Sequence, residues 1–174
     1  VGGTWFLQRA PGMVPLYLGL VGVTIGAADS LYAGLVDACF APESIAALEA
    51  ELPRAAAAED PRAALAELGR RHAVAPPPGE LEALRPAIDR HFGQAGVAAI
   101  LESLESESRP EFQPWAAKTL ALLGERSPTL LRVTFEQLRR GRGLPLADCF
   151  RLELNLIHGC FDQGDFVEGV RALI

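Results

Sequence analysis

Between residues 80 and 161 the apolar side chains fall at intervals of three and four in five successive stretches, 80–91, 94–105, 112–123, 128–140 and 144–161. That spacing gathers the apolar groups of each stretch on one helical face, so such a chain must fold by packing helix on helix. One stretch reads two ways. Residues 151–156, Arg-Leu-Glu-Leu-Asn-Leu, alternate as a half-buried strand would. Leu146, Phe150, Leu154, Ile157 and Phe161 nevertheless recur at three and four, β-branched residues are scarce, and the spacing predicts a helix.

The first half is cut into short pieces by proline and glycine. Pro11-Gly12 opens a segment that continues to Leu20, and a short helix beginning at Gly26 is closed by Gly34. Residues 35–40 form the one expected strand, after which Pro42 at a helix N1 position starts a helix over 43–51. An Ala-rich connection over 51–60 is punctuated by Pro53 and Pro61. A helix over 62–72 follows, with Arg70, Arg71 and His72 near its negative end. Ala75-Pro76-Pro77-Pro78-Gly79 cannot be helical and reads as a stiff linker. At the other end, Asp165-x-x-Glu168 reads as a capping box that opens a last helix.

Composition removes several classes of function. The 174 residues are 49% hydrophobic and carry a net charge of −6, so no basic footprint for nucleic acid or an anionic membrane exists. The most apolar stretch, 13–25, is too short to span a bilayer and contains Pro15, Gly19 and Gly22. Its expected place is a buried helix. Trp5, Phe6, Leu7, Met13, Leu16, Leu18 and Leu20 supply more apolar surface than one short helix and one strand can cover, which predicts an exposed face that associates. Three cysteines without CxxC spacing indicate a reducing compartment, and a cytoplasmic location is expected. Cys149 and Cys160 on one helix stand too far apart to be bridged.

Candidate site residues are few. Gly2-Gly3 before Thr4 can be a turn that brings backbone close to a ligand, or a plain tight turn that leads into a helix. His72, His91 and His158 share no motif spacing; the first two fit helix ends and the third a polar helix edge, all structural positions. Cys39, Cys149 and Cys160 sit in apolar surroundings as small core residues. Glu102, Glu105 and Glu107 read as a solvated helix face and its frayed end. Arg139, Arg140 and Arg142 could meet phosphates, but cations and glycine at a helix C-terminus need no ligand. No His, Cys or carboxylate cluster has metal-ligand spacing.

The runs VGGTWFLQRAPG, LVGVTIGAADSLYAGLVDACF, SPTLLRVTFEQLRRG and GDFVEGVRALI resemble, in that order, the C-terminal half of a crotonase-superfamily enzyme (the enoyl-CoA hydratase/isomerase family), and most of all its 3-hydroxyisobutyryl-CoA hydrolase branch. The resemblance implies a mainly α chain that forms the C-terminal helical portion of a crotonase-like α/β spiral. Residues 1–40 would end the core, 41–79 form a helical insertion with a Pro-rich linker, and 80–174 form the C-terminal helical region. It implies hydrolysis of an acyl-CoA thioester in valine catabolism, with coenzyme A as part of the substrate and no separate cofactor. An enoyl-CoA hydratase or isomerase, and a non-catalytic helical interaction domain, remain as alternatives. In the hydrolase branch one acid belongs to a Pro-Glu pair upstream of the Gly-Gly turn and the other is the Asp just before the Val. The oxyanion amides lie further upstream. All fall before Val1, so no catalytic residue is expected within the chain, an N-terminal half is its expected partner, and an oligomer of identical chains is allowed. The substrate-binding residues implied are Gly2 and Gly3 of the turn and Phe161, at the spacing from Glu168-Gly169 where relatives place a ring against the CoA adenine. A core Phe at a helix end would look the same.

Overall fold

The computed structural model describes residues 2–162 and 164–173. In chain order its helices are α1 (Gly3–Phe6), α2 (Val14–Val21), α3 (Ala27–Tyr32), α4 (Ile45–Ala56), α5 (Pro61–His72) and α6 (Leu81–Phe92). They continue with α7 (Val97–Glu105), α8 (Gln113–Gly124), α9 (Pro128–Gly141), α10 (Leu146–Asp162) and α11 (Asp165–Leu173). They divide into two compact units, one made of Val1–Thr24 with Leu81–Ile174 and the other of Ile25–Glu80.

In the first unit, α2 is the element that the others surround. Pro15 favours its first turn, and Gly22 ends it at φ +69°, a conformation that costs glycine nothing. Arg126 Nη2 then donates to the Val21 carbonyl at 3.0 Å and satisfies an acceptor left open at the helix end. Val14, Tyr17, Leu18, Leu20 and Val21 are all buried, which covers more than one face. A helix apolar on every side is stable only inside a shell. α6, α8 and α9 supply that shell. Gly19 lets α9 approach closely, since a Cβ there would stand 2.6 Å from Leu138 Cδ1. Tyr17 meets the Phe92 ring edge-on at 5.3 Å, and its hydroxyl accepts from Trp115 Nε1 at 3.3 Å. The expected exposed face over residues 5–20 is therefore mostly covered, with Phe6 still exposed. Exposure falls instead on α10 and α11, at Leu146, Phe150, Leu154, Ile157, Phe161, Val167 and Val170.

Local chemistry starts and stops the other helices as expected. Ser127 Oγ caps α9 by accepting from Leu130 N at 3.2 Å, with Pro128 at N1 and Leu131, Phe135 and Leu138 on the buried side. The alternation over 151–156 lies within α10, so the three-and-four spacing decided correctly. For the capping box, α11 begins at Asp165, and Glu168 accepts from Arg171 Nε at 2.8 Å. The Asp165 side chain lies outside the described side chains, so its cap does too.

Glu107 corrects the reading of a solvated acidic face. It is only 6% exposed. α7 ends at Glu105, and the next turn swings Glu107 inward, where it accepts from Arg109 N and Nε, each at 2.9 Å, and meets His91 Nε2 at 2.7 Å. The other His91 nitrogen meets Ser103 Oγ at 2.8 Å, so a fully buried imidazole has both nitrogens engaged. The Arg109 side chain holds the Glu107 carboxyl well below the usual carboxylate range; burial opposes this, and the Arg109 amide and His91 add to it.

The second unit pairs α4 with α5. Asp60 caps α5 by accepting from Ala63 N at 3.0 Å, and Glu51 ties the helices together through Arg71 at 2.8 Å and His72 at 3.0 Å. Three expectations change here. Residues 35–40 form no strand: Phe40 makes one isolated antiparallel bridge to Ala73, and Val74 N donates to the Cys39 carbonyl at 2.8 Å. A strand exists only against a neighbour, and among the described residues no ladder extends from that bridge. Pro42 opens a 3₁₀ turn, Pro42–Ser44, and α4 begins only at Ile45. Pro53 lies inside α4, where its missing N–H costs one bond but the alanines that follow carry the helix to Ala56. The linker over 75–79 is irregular, as the prolines dictate.

Replacing one member of a buried charge network leaves the others unpaired, which costs ~3–5 kcal/mol when the site is fully buried. Arg109 is 29% exposed, so Glu107→Gln is expected to cost less, about 2 kcal/mol, in chemical denaturation at neutral pH. The folded carboxyl titrates below its unfolded value, so its stabilisation is present above about pH 4.3 and lost as pH falls through the folded value. The gap between wild type and E107Q should therefore narrow below about pH 4; a gap constant down to pH 2 would contradict the assignment.

Candidate functional site

The Gly2-Gly3 turn is built from both ends of the chain. Gly2 takes φ +84°, and its carbonyl accepts from Trp5 N at 3.2 Å and Phe6 N at 2.9 Å, which starts the four-residue helix α1. Glycine at the N-cap offers no side chain, so the first-turn amides must find an acceptor elsewhere. It comes from α10. Glu153 Oε2 accepts from Gly2 N at 2.5 Å and Oε1 from Thr4 N at 2.8 Å, so one carboxylate spans the turn.

α9 holds the same turn from another side. Thr4 is fully buried, its hydroxyl accepts from Gln137 Nε2 at 2.6 Å, and its carbonyl accepts from Gln8 Nε2 at 2.8 Å. Gln8 Oε1 in turn accepts from Gly143 N at 3.0 Å, beyond the end of α9. Gly141 packs so closely that a methyl group there would overlap Thr4 Cγ2. Phe150 lies against Gly2, with its ring 3.5 Å from where a Cβ would stand.

Burial opposes charge on Glu153, yet the Thr4 hydroxyl and the Thr4 and Gly2 amides outweigh it and hold the carboxyl below its ordinary value. A carboxylate with both oxygens engaged by amides and a lowered pKa is a poor general base. Its role here is to fix backbone. Little in the residue pattern pointed to Glu153. The available signal was an acidic residue four after Cys149 on an apolar helix, and both are buried, whereas the three-and-four stripe that identified the helix faces outward.

Of the expected site residues, Gly3 lines a cleft of about 280 Å³ with Leu130, Gln137, Glu153, Ile157 and Cys160. Phe161 does not line that cleft and is 53% exposed on α10. The arginine cluster is partly engaged: Arg139 and Arg140 donate to Glu136 at 2.8 and 3.0 Å. His72 and His91 are held by Glu51 and Glu107, and His158 is exposed. The cleft lies at the lower edge of the ~300–1,000 Å³ of ordinary small-molecule sites.

The helical arrangement matches the C-terminal helical portion of crotonase-fold enzymes. The chain belongs to the enoyl-CoA hydratase/isomerase family, whose profile matches residues 1–174. It is 34% identical over 175 residues to the mitochondrial 3-hydroxyisobutyryl-CoA hydrolase of Dictyostelium discoideum, covering 100% of this chain and 45% of that protein. It is also 32% identical over 187 residues to the small ribosomal subunit protein mS47 of Neurospora crassa, covering 100% of this chain and 37% of that protein. Among solved structures it matches a carnitinyl-CoA dehydratase from Mycobacterium thermoresistibile at TM-score 0.81 and 34% identity, over 99% of this chain and 47% of that one. The chain thus spans about half the length of the hydrolase and of the solved structure, and 37% of the ribosomal protein. The cytoplasmic expectation is corrected by the hydrolase relatives, which are named as mitochondrial. Unpaired cysteines argue against an oxidising compartment but do not choose among reducing ones.

At φ +84° a side chain strains the backbone by about 1 kcal/mol. Gly2→Ala is expected to lower stability by that amount in thermal unfolding, and Gly3→Ala, where a Cβ meets nothing within 4 Å, to cost clearly less. Equal losses would show that the left-handed turn is not what the fold requires.

Proposed function

We propose that this chain is the C-terminal portion of an acyl-CoA thioester hydrolase of the 3-hydroxyisobutyryl-CoA type, which cleaves a β-hydroxyacyl thioester to the free acid and CoA in valine catabolism. The observation that carries this reading is the rigidly held Gly2-Gly3 turn at the head of a chain similar throughout to such hydrolases. In hydrolysis, water adds to the thioester carbonyl, amide donors take up the charge on its oxygen, and the thiolate leaves. On this reading both acids and the oxyanion amides come from the N-terminal portion of the parent. This chain contributes the turn directly behind the second acid. Residues 1–40 close the core, 41–79 are a helical insertion, and 80–174 cover the site. Gly2 and Gly3 border the acyl end of the substrate. Phe161, eight residues beyond Glu153 or roughly 12 Å along α10, serves the adenine end.

The apolar stripe on α10 and α11 supports the same reading. Leu146, Phe150, Leu154, Ile157, Val167 and Val170 are too many exposed apolar side chains for a lone surface, and the N-terminal portion of the parent is their proposed cover. The ribosomal relative supports a second reading, a non-catalytic assembly module.

Purified full-length parent and this chain alone, each assayed with 3-hydroxyisobutyryl-CoA and crotonyl-CoA, separate these readings. The parent is expected to release CoA from the first substrate at about 10 per second, an ordinary enzyme rate, and the chain alone to show none. Hydration of crotonyl-CoA without thioester cleavage would move the assignment to a hydratase. An inert parent would favour the assembly module. The chain alone is also expected to self-associate and bind an apolar dye, and the parent to do neither.

A further inference from the structure

A helix of four residues cannot hold its own geometry, because nucleation is not repaid within one turn. α1 has no local cap, and its first turn depends on a carboxylate that arrives from 149 residues away. The demand on that carboxylate is specific. Two amides, Gly2 N and Thr4 N, point at its two oxygens, and Glu153 is only 8% exposed, so water does not substitute for either. An amide side chain of the same shape would offer one acceptor and turn an NH₂ toward the other N–H. Aspartate would keep the charge and lack the reach.

We propose that Glu153 is a positioning residue for catalysis: by clamping the Gly2 and Thr4 amides it fixes the direction in which the chain enters the turn, and with it the acid that immediately precedes Val1 in the parent. The inference rests on the hydrolase reading above. Glu153 does not touch the substrate and transfers no proton. Its effect reaches the chemistry through the backbone, where a displacement of about 1 Å at a reacting group costs roughly 100-fold in rate. The clamp also couples the site to α10, the helix that carries Phe161. Gln137 and Gly141 on α9 support Thr4 but leave both amides to Glu153.

The test uses the full-length parent with 3-hydroxyisobutyryl-CoA and compares wild type, Glu153→Gln, Glu153→Asp and, as a destabilised control at the other buried carboxylate, Glu107→Gln. E153Q is expected to lower kcat by about 100-fold with KM nearly unchanged, the signature of a misplaced catalytic group, while E107Q keeps kcat below its melting temperature. E153D, which retains the charge, is expected to recover part of the loss and serves as the working variant if E153Q does not fold. Amide exchange at Thr4 and Trp5 should quicken in E153Q and stay slow in E107Q. A kcat within threefold of wild type in E153Q, or in E153D where that is the working variant, would overturn the inference while leaving the hydrolase reading intact, as would a loss confined to KM. A wild-type parent that cleaves no thioester removes the hydrolase reading and this inference together.

Discussion

An eight-residue helix with no polar face is the constraint from which the rest of the first unit follows. α2 cannot lie on a surface, so α6, α8 and α9 must close around it. Each fully buried Val or Leu contributes about 1.5–3 kcal/mol, enough to draw together segments that stand sixty or more residues apart in sequence. Once α9 is in place against Gly19, its far end meets Thr4 through Gly141 and Gln137. The packing of the core thereby sets where the Gly2-Gly3 turn can lie.

Two buried carboxylates then solve one problem in different ways. Removing a charge from water costs several kcal/mol, and it survives burial only if its oxygens are fully engaged. Glu107 is engaged by side-chain charge and neighbouring amide, through Arg109 and His91, and its result is a locked corner between α6 and the turn after α7. Glu153 is engaged by backbone amides and the Thr4 hydroxyl, and its result is a locked turn. The first serves the stability of the unit; the second serves the geometry of the Gly2-Gly3 turn.

That division explains why the structure holds a well-built turn and yet only a shallow cleft beside it. The cleft is walled on one side by Gly3, Glu153 and α9, and an apolar stripe on α10 faces outward next to it. Ile157 belongs to both features. The chain spans about half the length of the hydrolase relative and of the solved structure that it matches.

Residue spacing determined that the segments from residue 81 onward are helical, because that choice is made within four residues. Pro15, Pro128, Ser127 and Asp60 start helices, and Gly22 and Gly34 end them, through caps and positive φ that need no distant partner. The ordered motifs likewise sufficed to recognise the family. Choices that depend on remote neighbours were not legible. Phe40 finds only Ala73 and no strand forms; Glu107 turns inward because Arg109 and His91 wait there; α10 buries Cys149 and Glu153 while the stripe that revealed it as a helix faces outward. The clamp on Gly2 and Thr4 joins residues 151 and 149 positions apart. Local spacing fixes a helix through its own backbone bonds, but which face it buries and which charge it can shelter are energies of contact between segments, and those exist only once the chain has folded.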